Sequence, residues 1–243
     1  MRHAWAVREA NDEVLETSAQ LGVKDIVIYA GPGWPYLPGT TEPQTKPRAT
    51  YDDYMALVER LDMYGLRVAA IEGGFVHLGP YRDLPFGGPD RDGIIERIGA
   101  EIRDMGRAGI PVFGYHWLPN GVWRTADEYI RNGARVTAFN ADHGTFQPTP
   151  HDPIPDDVTI TEDGMWANLE YWIKAISPVA EDAGIRLGIH PDDPPVPELG
   201  GVPRILRSFE AYKRLIEVVD SPANSIEFCQ GTFSEMADAA NGG

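Results

Sequence analysis

The chain has 243 residues, 42% of them hydrophobic, enough for one large α/β domain or two small ones. Its formal charge of −16, with no basic patch to offset it, argues against a nucleic-acid partner and favours a small ligand. No apolar run approaches the ~20 residues of a membrane span, the start Met1-Arg2-His3-Ala4-Trp5 lacks a signal-peptide core, and the lone cysteine, Cys229, excludes an internal disulfide framework. A cytoplasmic location follows as the default expectation.

Ala4 to Val7 reads as a short first strand. Asn11 or Asp12 caps a helix to about Leu21, where Val14, Leu15, Ser18 and Leu21 share a face, and Gly22 ends it. Asp25 to Ala30 is a buried strand, followed by a Pro/Gly-rich loop to residue 49 that is long enough to be functional. Thr50 or Asp52 starts a helix closed by Gly65, and Leu66 to Ile71 is the next strand. Asp92 caps a helix carrying Ile94, Ile98, Ile102 and Met105, and the strand Ile110 to Tyr115 follows. A less regular section follows, with Trp123-Arg124-Thr125 and the polar, Pro-containing run 140 to 160. A helix from about Met165 to Ala183 contains Pro178, which should kink or interrupt it near Lys174. Ile185 to Ile189 is a strand, Phe209 to Val219 a helix, and Ser225 to Phe228 a strand ending at Cys229. A last helix is expected from about Phe233 toward Asn241.

Strand and helix alternate about six times, with short turns before the strands and long loops after them, which implies parallel strands. Long loops on the carboxyl side of the strands suit the TIM-barrel (β/α)8 type, where the site is built on that face. A closed barrel needs eight units. Either two strands escape this reading or the chain is a fragment, since six units without closure would leave two unpaired sheet edges.

The chemistry concentrates in His190-Pro191-Asp192-Asp193-Pro194-Pro195, where an imidazole and two carboxylates sit on a stiff loop directly after a strand. Cys229 ends the next strand, so His190 and Cys229 should lie side by side. Imidazole and thiolate are both good ligands for a divalent transition metal. The plainer readings are a surface Pro/Asp turn with an incidental histidine, and a buried cysteine acting as a small apolar residue. Two ligands do not complete a catalytic site. Asp192 or Asp193 could add a ligand or orient the imidazole.

The run Pro178-Val179-Ala180-Glu181, the HPDDPP stretch, Gly201-Val202-Pro203-Arg204-Ile205, Ser221-Pro222-Ala223-Asn224 and Phe228-Cys229-Gln230-Gly231 resembles the mannonate dehydratase family. Glu72, Arg91-Asp92, Ala108-Gly109-Ile110, Tyr115 and Trp123-Arg124-Thr125 recur upstream in family-like order. The resemblance implies a xylose-isomerase-like metal-dependent barrel that dehydrates D-mannonate to 2-keto-3-deoxy-D-gluconate in glucuronate catabolism. It implies metal ligation by His190 and Cys229, with a second His, an Asp and the acid/base His and Tyr of the family beyond residue 243, and hence a single incomplete TIM-barrel domain over residues 1–243, C-terminally truncated to about six βα units. The implied metal is Mn2+, although thiolate chemistry alone would suggest Zn2+ or Fe2+, and Mg2+ also fits the class. Where the family has Tyr-Asn-Phe-Met-Pro, this chain has Tyr115-His116-Trp117-Leu118-Pro119. His116 can bind substrate or metal, or simply hydrogen-bond within its loop.

Dehydration of a sugar acid removes a weakly acidic proton next to a carboxylate and expels the neighbouring hydroxyl, work for a Lewis acid with flanking acid and base. The carboxylate suits a guanidinium fork. Arg204 and Arg124 are the candidates for it, with Tyr115 and His116 as further substrate-binding residues and a surface ion pair as the plainer role for either arginine. His3, His77, His143 and His151 fall in termini or loops and receive no role. The rival readings are a sugar isomerase or epimerase on the same scaffold and a catalytically inactive sugar-acid binding fragment. Neither a nucleic-acid nor a membrane partner is expected, and a homo-oligomer is compatible with the reading.

Overall fold

Strands and helices alternate from the first residues of the chain. The structure is a computed structural model, and it describes residues 2–30, 36–43, 45–73, 81, 83–143, 147–148, 154 and 158–236. The first units are β1 (Ala4–Val7), α1 (Asp12–Gln20), β2 (Asp25–Tyr29), α2 (Tyr51–Asp62) and β3 (Arg67–Glu72). The Asn11 side chain caps α1 by accepting from the Val14 N–H, and Thr50 and Asp53 form a capping box on α2. Next come a short α3 (Asp83–Phe86), α4 (Arg91–Arg107) and β4 (Val112–Tyr115). The stretch expected to be irregular contains β5 (Trp123–Arg124), β6 (Glu128–Ile130), β7 (Ala134–Val136) and β8 (Gln147–Pro148), with antiparallel pairs β5–β8 and β6–β7.

Helix α5 (Glu162–Asp182) precedes β9 (Arg186–Ile189), and the hairpin β10 (Glu198–Leu199) with β11 (Val202–Pro203) follows the Pro-rich loop. Then come α6 (Phe209–Glu217), β12 (Asn224–Ile226) and α7 (Gln230–Glu235). Two expectations need correcting. Pro178 does not interrupt α5, which runs through it; Pro178 and Lys174 both lie on the exposed face, where water can replace the missing N–H bond. The last helix starts at Gln230, directly after Cys229, and the stretch toward Asn241 lies outside the described residues.

Six parallel strands form one sheet in the order β1-β2-β3-β4-β9-β12. Neighbours in the sheet are successive parallel strands of the chain, the order of a (β/α)-barrel. The alternation of side chains divides the sheet into two faces. One buries Ile26, Ile28, Ile71, Phe113, Leu187 and Ile189 against the helices, where Leu169, Trp172 and Ile176 of α5 meet them. The other face carries small residues, and residues from all six strands, Ala6, Val27, Ala70, Gly114, Gly188 and Ser225 among them, line one cavity of ≈ 440 Å³. A flat sheet could not gather all six strands around a single cavity. The sheet therefore curls as a barrel wall. Among the described residues neither β1 nor β12 has a second neighbour.

Candidate functional site

Counting two residues on from each small inward-facing position locates the chemistry. Gly188 leads to His190, Gly114 to His116, Ala70 to Glu72, Val27 to Tyr29, and Ser225 to Glu227 and then Cys229. Each of these lies at or just past the carboxyl end of its strand, so the period of two places them in one ring at the barrel mouth.

Within this ring His190 and Cys229 meet, because β9 and β12 are paired in register from Leu187–Asn224 to Ile189–Ile226. The imidazole Nδ1 lies 2.7 Å from the Pro191 carbonyl oxygen. With Nδ1–H donating there, Nε2 is left for Cys229. Burial of the imidazole opposes its charge, but its hydrogen bond to Cys229 and the nearby Glu227 carboxylate prevail and raise its pKa to about 9. The same hydrogen bond, helped by Thr232, whose hydroxyl donates to Sγ at 3.3 Å, brings the Cys229 thiol down to about 7.

Next to the pair, the His116 ring stacks on His190 with centroids 4.7 Å apart, and its Nε2 stands 3.5 Å from Glu72 Oε1. Desolvation lowers the His116 pKa, keeping the ring neutral at pH 7. Glu227 is raised to about 7, first by burial and then by the Glu72 charge. Gly114 makes this crowding feasible: a Cβ there would lie 2.9 Å from both Glu227 Oε2 and Glu72 Cγ. Tyr29 is raised by burial and by the charges of Glu72 and Glu227, and Arg8 lies 5.7 Å from its ring centroid. Tyr29, Arg8 and Glu227 had no part in the expected site. They carry no motif, and only the strand alternation marks them.

The remaining expected residues divide. Arg124 reaches a cleft of ≈ 410 Å³ shared with Cys229, Thr232 and Glu235, where Asp193 holds its guanidinium through bonds of 2.8 and 2.5 Å. Arg204 does not reach a substrate position. It is 0% exposed beneath the Pro-rich loop, donates to the Asn120 side chain at 2.9 Å and the Gly121 carbonyl at 3.0 Å, and lies 3.9 Å from Asp192. Tyr115 is likewise corrected. Its parity turns it to the helix side, where it is 1% exposed between Phe113 and Trp172. Neither Asp192 nor Asp193 orients the imidazole; Asp192 accepts from the Leu206 N–H, Asp193 binds Arg124, and the Pro191 carbonyl holds the ring. His3 is exposed and His143 lies in a turn, while His77 and His151 fall outside the described residues.

An imidazole nitrogen and a thiol sulfur facing each other suit a divalent transition metal in donor type. In number they fall short. Among the described residues no three His, Cys, Asp or Glu side chains stand together as ligands. The fit is to part of a coordination shell.

A parallel barrel wall with a His–Cys pair at the carboxyl ends of adjacent strands defines the class as a (β/α)-barrel with its site at the strand C-termini. Residues 155–241 match the family model described as D-mannonate dehydratase (UxuA). Mannonate dehydratase from Streptococcus suis (strain 05ZYH33) is 34% identical over 209 residues, covering 75% of this chain and 54% of that protein. The solved mannonate dehydratase from Streptococcus suis serotype 2 superimposes with a TM-score of 0.77 at 31% identity, covering 96% of this chain and 65% of that one. A D-allulose 3-epimerase from Methylomonas sp. shares the fold alone, at 11% identity and a TM-score of 0.51, covering 93% of this chain and 60% of that one. The chain is thus similar to mannonate dehydratases in sequence and in fold, and it spans about half the length of the curated relatives it matches.

Proposed function

We propose that this chain carries the substrate-side half of a hydro-lyase site that dehydrates D-mannonate to 2-keto-3-deoxy-D-gluconate. The observation that carries the reading is the His190–Cys229 pair at the ends of β9 and β12, opening on the cleft that Arg124 lines, within a chain related to mannonate dehydratases. His190 and Cys229 would hold a divalent ion, Mn2+ by family resemblance, together with donors from outside the described residues. Such an ion supplies Lewis acidity, which makes the proton beside a carboxylate removable.

The chain's own residues bind and orient the substrate. Arg124 offers the substrate carboxylate a guanidinium already held in the cleft by Asp193. His116, neutral and backed by Glu72, offers a ring nitrogen to a substrate hydroxyl beside His190. Arg204 acts at a distance by tying the Pro-rich loop to the Asn120 segment. The location follows the notion of a cytoplasmic enzyme in hexuronate breakdown, and among the described residues no helix is long and apolar enough to cross a membrane.

Incubation of the purified chain with Mn2+ and D-mannonate, followed by detection of 2-keto-3-deoxygluconate, tests the reading. Turnover that disappears in Cys229→Ala supports it. Tight D-mannonate binding without turnover would favour a sugar-acid binding protein instead, and neither binding nor turnover would sink it.

A further inference from the structure

The period of two has one further member at the barrel mouth. Ala6 lines the inner cavity and Val7 is buried on the helix side, so Arg8 comes next on the inward face, just past β1. A row of polar side chains then runs around the mouth from β1 to β9, each meeting the next. The Arg8 guanidinium lies 5.7 Å from the Tyr29 ring centroid, and the Tyr29 hydroxyl bonds the Glu72 carboxylate. Glu72 Oε1 is 3.5 Å from His116 Nε2, and His116 stacks on His190.

Glu72 is the unusual member of this row. It is 9% exposed, and among the described residues no lysine or arginine forms an ion pair with it. A second carboxylate stands close by, since a Cβ on Gly114 would lie 2.9 Å from both Glu72 Cγ and Glu227 Oε2. Two enclosed carboxylates side by side repel, and burial without donors makes the arrangement costly. An ionised carboxylate has about four acceptor sites. Tyr29 and His116 offer it one donor each. Arg8 is the reverse case, an exposed cation rich in N–H donors that pairs with no carboxylate among the described residues.

The geometry points to a polyol subsite, in which Glu72 accepts from neighbouring hydroxyls on the non-reacting tail of a sugar acid and Tyr29 and Arg8 close the outer end. The inference rests on the proposed function, because Arg124 fixes where the acid end lies. Arg124 approaches Cys229 from the cleft, whereas Glu72 lines the separate inner cavity. A sugar acid held by its carboxylate at Arg124 then extends past His190 and His116 toward Glu72. Hydroxyls suit this row because each can donate to a carboxylate and accept from a guanidinium. A cation is the poorer occupant, since among the described residues no three His, Cys, Asp or Glu side chains stand together as ligands.

The test is calorimetry on the full 243-residue chain with Co2+ present, using D-mannonate, D-mannitol, and D-glycerate as the acid that lacks carbons 4 to 6. Glu72→Gln keeps the side chain's shape and should weaken D-mannonate at least ~10-fold, with Tyr29→Phe and Arg8→Gln each costing at least ~3-fold. D-glycerate, read by competition, should change less than ~2-fold in all three. Arg124→Gln should weaken both acids and leave D-mannitol unchanged. If Glu72→Gln does not fold, the half-buried Tyr29 and exposed Arg8 carry the comparison. Equal loss of both acids in these variants, or no loss of D-mannonate, would overturn the subsite and leave the proposed activity standing. So would a loss of Co2+ affinity in Glu72→Gln as large as its loss of D-mannonate. Selective weakening in a chain that releases no 2-keto-3-deoxygluconate would count against the proposed activity and leave the subsite standing. Binding of neither D-mannonate nor D-mannitol would overturn both.

Discussion

His190 and Asp192 are two residues apart on the same stiff loop, yet they meet opposite fates. Asp192 is 2% exposed and its carboxylate is held by partners from two other segments: the Leu206 N–H and the Arg204 guanidinium from one, and through Arg204 the Asn120 side chain and the Gly121 carbonyl from the other. Burial raises its pKa to about 6 against the pull of Arg204. His190 has one backbone partner and one thiol, and the thiol opens on a cleft. A polar group enclosed by protein partners contributes by holding the chain in place, because removing any partner leaves a buried charge uncompensated. The Cys229 sulfur, by contrast, still faces a cleft, so this pair is free to bind something else. The difference between anchor and tip separates structural polarity from functional polarity within six residues.

Arg204→Met should break the anchor and produce the largest effect, a loss of about 3–5 kcal/mol in urea unfolding, since Asp192 would stay buried without its cation. A loss under ~1 kcal/mol would mean the network is slack and the contrast is false. At the tip, His190→Asn and Cys229→Ser should weaken Co2+ binding at least ~100-fold, equivalent to about 2.7 kcal/mol, and Cys229→Ser should cost less stability than Arg204→Met. The thiolate-to-cobalt absorption reports this directly, and its persistence in Cys229→Ser would remove Cys229 from the site. Between the two stands the Arg124–Asp193 pair, partly exposed at 29% and 19%. A double-mutant cycle with Arg124→Gln and Asp193→Asn should give a coupling of about 0.5–1 kcal/mol, with no loss of Co2+ binding in either single variant.

The helix layer holds a third cluster that sharpens the comparison by pH. The Tyr54 hydroxyl donates to Glu101 Oε1 at 2.6 Å between α2 and α4, and burial raises the Glu101 pKa to about 7 against the Tyr54 hydrogen bond and the Arg48 charge. The folded state then binds more protons than the unfolded chain between the ordinary carboxylate pKa and about 7. This contribution to stability is fully present below the unfolded value and is lost as pH rises through 7. Glu101→Gln should flatten the decline between pH 5 and 8, read from urea midpoints across that range. An unchanged slope would mean that Glu101 ionises freely where it sits.

Much of the frame was legible because it depends on local periodicity. Leu15 and Ser18 on α1, Ile94, Ile98 and Ile102 on α4, and Leu169, Trp172 and Ile176 on α5 repeat at helical spacing, and all are buried where the pattern puts them. The four strands β5 to β8 and the β10–β11 hairpin were not legible, since elements of two or three residues are too short to show a period. His190 and Cys229 could be paired in advance because each follows a strand and the two strands are consecutive. Tyr115 and Arg204 could not be placed so. One sits on the helix side of its strand, and the other is in a short hairpin whose direction depends on where the Asn120 segment lies.

By itself the sequence determined the alternating βα units, the helix caps at Asn11 and Thr50, and the stiffness of the loop after His190, all of which arise from neighbours a few residues apart. Tertiary structure alone decided which side chains share the barrel mouth. Only the curl of the sheet brings Glu72, His116, His190 and Glu227 together from four strands, and only Gly114 leaves the space for two carboxylates between them. It also decided which of two similar arginines remains at the cleft: Arg124 lines it with Asp193, while Arg204 is enclosed beneath the loop, because burial is set by what the rest of the chain packs against a residue and not by the residue itself.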